Sequence, residues 1–170
     1  MNNSTLDFIK QIIDKQMNMP VNRVWAYNGN NDLPKDAGLF IILSFRDKSV
    51  YANNVKYIPT ETGYQEIQSL NMAEDILISC ISQNTEARDR CHEVSMALTS
   101  MYSQEIQEKN HIHISTTGEI LENSFLEETS NLNRFDIECR VLRAYEKVNN
   151  VDYYDKFPNT STFEPEWHIN

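Results

Sequence analysis

The chain has 170 residues, enough for one domain whose core buries roughly 70% of the surface exposed by the unfolded chain, with no disulfide or metal staple required. Fifteen basic against 25 acidic side chains give a formal charge of −10, a surface that disfavours nucleic-acid binding and suits a basic partner or a water-lined passage. Cys80, Cys91 and Cys139 are odd in number and read as reduced, buried thiols; with no secretion-signal layout and no apolar run longer than 39–43, a soluble protein made in the cytoplasm, without membrane contact, is expected.

Residues 4–17, "STLDFIKQIIDKQM", predict a helix capped by Ser4, with Asp7 in its first turn and Pro20 beyond its end. Leu6, Ile9, Ile13 and Met17 form its apolar stripe, widened by Phe8 and Ile12. Residues 21–27 alternate as a strand, and 28–36, "NGNNDLPKD", have turn chemistry. "GLFIILSF" (38–45) is nearly unbroken in apolar residues, as in a strand covered on both faces. The polar stretch 46–63 offers only a short strand at Val55 and Tyr57, before Pro59.

Residues 64–82 fit either a helix or a strand with both faces filled, and their isoleucine content tilts the choice toward a strand. Residues 84–107 predict one long helix, capped by Asn84 or Thr85, with Ala87, Cys91, Val94, Leu98, Met101 and Tyr102 on its apolar stripe. "HIHIS" (111–115) is a short strand and 116–133 an acidic loop. "RFDIECRVLRAY" (134–145) sets Phe135, Ile137, Cys139 and Val141 against Arg134, Asp136, Glu138 and Arg140. Twelve extended residues reach roughly 40 Å, about twice a typical strand. Toward its end Leu142 and Ala144 make the charged side apolar as well, which asks for a cover.

Residues 148–170 lack periodicity but carry Tyr153, Tyr154, Phe157, Phe163 and Trp167, too aromatic for a disordered tail. They read as an arm laid against the chain's own domain or a neighbouring subunit. The expected organisation is a single α+β domain over 1–147, with a mixed, mostly antiparallel sheet flanked by helices, followed by this irregular C-terminal arm.

Sequence motifs for catalysis are missing: no phosphate-binding loop, dinucleotide fingerprint or nucleophile elbow occurs, and the four glycines are isolated. His111 and His113 are spaced to share a strand face, but no third ligand stands near, so no metal or other cofactor is expected. Asp136 and Glu138 lie roughly 7 Å apart along one strand face and could serve a small hydrolase. Arg134 and Arg140 flank them, however, and such alternation reads better as cross-strand ion pairs or a subunit contact.

The order of elements resembles the tail-terminator and neck proteins of tailed bacteriophages, in particular the small neck-terminator family. The likeness rests on a turn with Pro34, Ala37 and Gly38 before "LFIILSF", then "AEDILISCIS", a helix opening "NTEARDRCHEV", a short strand, an acidic loop and "RFDIECRVLRAY". It spans about residues 20–147 and leaves 148–170 unmatched. The resemblance implies a structural virion protein, assembled in the host cytoplasm, with no enzymatic activity, and makes 74–82 a strand. It further implies a homo-oligomeric ring, commonly of six subunits, at the head–tail junction, which ends the tail tube and joins it to the head connector. Its partners would be neck proteins on the portal side and the tail tube protein, with DNA passing through the lumen without sequence-specific binding. The residues expected at the subunit interface are Arg134, Asp136, Glu138, Arg140, Leu142, Tyr153, Tyr154, Phe157 and Trp167. A soluble acidic adaptor for a basic partner is the alternative, ahead of the hydrolase.

Overall fold

The computed structural model describes residues 4–26, 36–61, 63–127 and 130–151; side chains of 125–131 are outside that description. Nearly all of the turn expected at 28–36 lies outside the described residues, as do Tyr153, Tyr154, Phe157 and Trp167 of the arm.

The first helix, α1 (Thr5–Gln16), forms where the stripe predicts it and buries Leu6, Phe8, Ile9, Ile12 and Ile13. The Asp7 carboxylate accepts the Ser4 backbone N–H at 2.9 Å, closing the first turn. At its other end Asn18 takes a left-handed φ of 49°, and the Met19 N–H reaches back to the Asp14 carbonyl at 3.2 Å, so the chain leaves the helix before Pro20.

The strand expected at 21–27 contracts to β1 (Val24–Ala26). Asn22 has φ 62°, which breaks an extended run, and Val21 is 89% exposed. β1 pairs in parallel with β2 (Phe40–Thr60), Val24 opposite Ile41. β2 carries straight through the polar stretch, Pro59 included, where only a short strand was expected. Residues 63–82 resolve as one strand, β3 (Gly63–Ser82).

The long helix expected at 84–107 is two, α2 (Glu86–Thr99) and α3 (Met101–Asn110). Ser100 is extended (φ −66°, ψ 161°), and its hydroxyl accepts the Ser103 N–H at 3.1 Å while donating to the Ala97 carbonyl at 2.7 Å. One serine therefore ends the first helix and caps the second. The break turns Met101 away from the stripe to 75% exposure. At the start of α2 the Asn84 carbonyl oxygen Oδ1 accepts the Glu86 N–H at 2.9 Å, and the buried Ser82 hydroxyl accepts that of Ala87 at 3.0 Å.

The short strand and much of the acidic loop merge into β4 (Ile112–Glu122), which bends through an irregularity between Thr116 and Ile120, where Gly118 has φ 76°. β5 (Phe125–Glu127) follows, and β6 (Ser130–Val151) runs beyond the predicted 134–145 at both ends. The sheet order is β1-β2-β3-β6-β4, with β5 also pairing β6. β4 and β5 run antiparallel to β6, so the chain is α+β with a mixed sheet, as expected.

The chain divides into two compact units, Met1–Asn53 with Leu70–Tyr145, and Asn54–Ser69 with Glu146–Asn170. In the first, one face of the sheet supplies Ile41, Leu43, Ile76, Ile78, Cys80, Phe135, Ile137, Cys139 and Val141 to a core completed by α1, α2 and α3. Phe135, Ile137, Cys139 and Val141 are all buried, as their alternation requires. The three cysteines are free and buried; burial pushes the Cys139 thiol up to about 12 and raises that of Cys80 further, so neither ionises near neutral pH.

In the second unit, the outer part of β2 and the start of β3 are joined by a connection so short that they must run antiparallel. On β3 the Glu66 carboxylate accepts the Tyr57 hydroxyl at 3.0 Å and the Asn149 amide at 3.5 Å, while the Ser69 hydroxyl donates to Glu146 at 3.4 Å. Partners on β6 fall from 149 to 146 as β3 advances from 66 to 69, so that pair is antiparallel too. β2 and β6 thus run in the same direction on either side of β3.

Candidate assembly interface

Alternation on β6 turns Arg134, Asp136, Glu138, Arg140 and Leu142 toward the face opposite the core. Within the first unit the charges among them find partners on the same chain. Asp136 is 4% exposed and accepts Ser79 Oγ at 2.6 Å, Asn123 Nδ2 at 2.7 Å and Arg134 Nε at 2.9 Å. Burial alone would raise its carboxyl; the hydrogen bonds from Arg134, Ser79 and Asn123 outweigh burial and hold it below the ordinary carboxylate range. Arg140 grips Asp75 of β3 with two bonds, of 2.7 and 2.9 Å, and this fork holds Asp75 below its ordinary range as well. Glu138 pairs with Arg46 of β2.

The cross-strand ion pairs read from the sequence are therefore present, and they span three strands. They border a shallow depression of about 260 Å³ lined by Arg46, Asp75, Thr116, Glu138 and Arg140. Both carboxylates of the pair weighed for hydrolysis are engaged within the chain, Asp136 by Ser79, Asn123 and Arg134 and Glu138 by Arg46. Leu142 is half-buried and Ala144 exposed.

His111 and His113 do not share a strand face. His111 closes α3 in a left-handed conformation (φ 51°), and only His113 lies on β4, exposed between the buried Ile112 and Ile114. Among the described residues no group of three or more His, Cys, Asp or Glu side chains is placed to hold a metal ion.

Two features escaped the sequence. The first is Glu74, 1% exposed, which accepts from the Thr5 hydroxyl and from the Tyr145 hydroxyl at 3.1 Å and pairs with Lys48 at 3.2 Å. Its signal is one of two adjacent carboxylates, Glu74 and Asp75, directly before the apolar run that begins at Ile76. Replacing Glu74 by Gln keeps the volume and removes the charge, and is expected to lower stability by about 1–3 kcal/mol, read by urea unfolding. The second is the row Val55, Tyr57, Ile58, Val148 and Val151 of the second unit, each between 37% and 59% exposed. Period two places Val55 and Tyr57 on one face of β2 and Ile58 on the other, so both faces show apolar surface.

A family model described as Phage neck terminator protein matches residues 4–166. The match takes in α1 and most of residues 148–170, both outside the resemblance drawn from the order of elements over 20–147. Among curated proteins none matches. No helix among the described residues is long and apolar enough to cross a membrane. With nearly the whole sequence covered, the chain belongs to the phage neck terminator protein family and is a structural component of the phage neck.

Proposed function

We propose that the protein assembles as a ring, of six copies, at the head–tail junction, where it ends the tail tube and joins it to the head connector. One observation carries the reading: the second unit exposes Val55, Tyr57, Ile58, Val148 and Val151 on strands that a single chain leaves uncovered among the described residues. A strand ribbon with apolar side chains on both faces is an aggregation hazard unless a defined neighbour covers it, and a closed ring supplies that neighbour to every copy. Membership of the neck terminator family supports the location.

The contact between copies draws on Leu142 and on Tyr153, Tyr154, Phe157 and Trp167 of the arm over 148–170. Arg134, Glu138 and Arg140 contribute to it as well, and the buried Asp136 contributes by fixing Arg134. The formal charge of −10 lets DNA pass through the lumen without sticking.

The test is mass by light scattering at micromolar concentration, with and without tail tube protein, alongside the length distribution of polymerising tubes. A multiple of 19.8 kDa and arrested tube growth are expected. A monomer in both conditions with unaltered tube growth overturns the proposal, and a one-to-one complex with one basic protein would favour an adaptor instead.

A further inference from the structure

We propose that neighbouring copies are joined by backbone pairing, the outer edge of β2 over 54–58 in one copy forming a parallel ladder with the outer edge of β6 over 146–151 in the next. The proposal rests on the ring reading above and names the bond that closes it. In the sheet order β3 lies between β2 and β6. The other neighbour of β2 is β1, which engages only Ile41 to Leu43, and the pairing of β4 with β6 starts at Arg143. Among the described residues the second unit therefore has two free edges of comparable length, about 20 Å each, on opposite sides of one three-stranded ribbon.

Free strand edges present unpaired N–H and C=O groups, and three features here select a second copy as their occupant. The edges occur in equal number in every copy, so one always matches one. They belong to strands running in the same direction, and rotation about an axis along the strands brings the β2 edge of one copy against the β6 edge of the next without reversing either. A parallel ladder follows from that geometry. The contact is head-to-tail, the type that closes into rings rather than stopping at a pair. Pro59 fits this arrangement: lacking an N–H, it ends the ladder beside the connection to β3 and keeps the pairing to 54–58. Val148 and Val151 lie on opposite faces of β6, so one of them becomes the cross-strand neighbour of Val55 and Tyr57 and the other that of Ile58, and each pair covers apolar surface as the edges meet.

Proline substitution tests this at the backbone. Successive strand residues send their N–H groups to opposite sides, so of Val55→Pro and Lys56→Pro one removes a bond to β3 and the other only an edge donor. The variant that keeps the melting temperature is the edge block. Lys147→Pro and Val148→Pro are sorted likewise for β6. Each edge block alone is expected to reduce assembly at least tenfold in the concentration required. Mixing a β2-edge block with a β6-edge block should restore one intact junction and yield dimers, but nothing larger.

Should proline unfold the ribbon at every position, chains carrying Val55→Cys and chains carrying Val148→Cys are mixed and treated with a short bifunctional thiol reagent. Cross-linking between the two kinds of chain is expected, and coupling of 55 to 55 overturns the proposal. Edge-blocked chains that assemble like the parent overturn the edge pairing while leaving the ring reading intact. A parent chain that stays monomeric with and without tail tube protein removes the ring reading itself. Strong amide-exchange protection of every residue over 54–58 in the dilute monomer would show the edge covered by the chain's own segment, and overturns the proposal as well.

Discussion

Asp136→Ala is expected to lower the free energy of unfolding by about 3 kcal/mol, among the largest effects of any single polar substitution in this chain. The side chain is 4% exposed and accepts from Ser79, Asn123 and Arg134, so truncation strands two neutral donors and a guanidinium in one step. Arg134 is 34% exposed and recovers part of its hydration, which keeps the loss at the lower end of the range for a broken buried pair. The same network gives a pH signature. The folded-state carboxyl lies below its unfolded value near 3.8, so its stabilisation is complete above that value and is lost as pH falls through the depressed folded value. Unfolding followed between pH 5 and 2 should show the parent losing stability on acidification, with a visibly shallower slope for Asp136→Asn. Equal slopes would mean that the carboxylate is not held as described.

Ile137→Ala is expected to cost about 3–4 kcal/mol for a different reason. Its side chain, 1% exposed, points into the core beneath the helices, one residue along from Asp136 and on the opposite face of β6. β3 and β4 hold β6 on both sides, so the surroundings cannot collapse into the space left behind. Ile137→Val should cost about 1 kcal/mol. Urea midpoints at unchanged slope would report both values, and an alanine variant within about 1 kcal/mol of the parent would show that the site relaxes.

These neighbours also show how far the sequence could be read. The alternation over 134–141 is legible because one face meets oil and the other a set of fixed charges, and each residue type declares its side. The stripe of α1 is legible on the same ground. β2 beyond Phe45 was not, because a strand whose faces are both exposed has no hydrophobic period; what keeps 46–60 extended is pairing with β3, and backbone hydrogen bonds leave no mark on side-chain pattern. By the same logic the acidic Glu119 and Glu122 predict a loop, although they extend β4. The break between α2 and α3 turned on one serine whose capping role shows only once Ser103 folds back to it. On β6, the charged row is legible but its partners are not, since Asp75 and Arg46 lie on strands far away in sequence.

Glu66 carries a mechanical consequence. By receiving Tyr57 from one side and Asn149 from the other, a single carboxylate indexes three strands at one level. Slipping β2 or β6 by one position would turn Tyr57 or Asn149 to the opposite face and open this clasp. Glu66 thus gives the backbone ladders of the ribbon a side-chain mark of their register, read at the same level on all three strands.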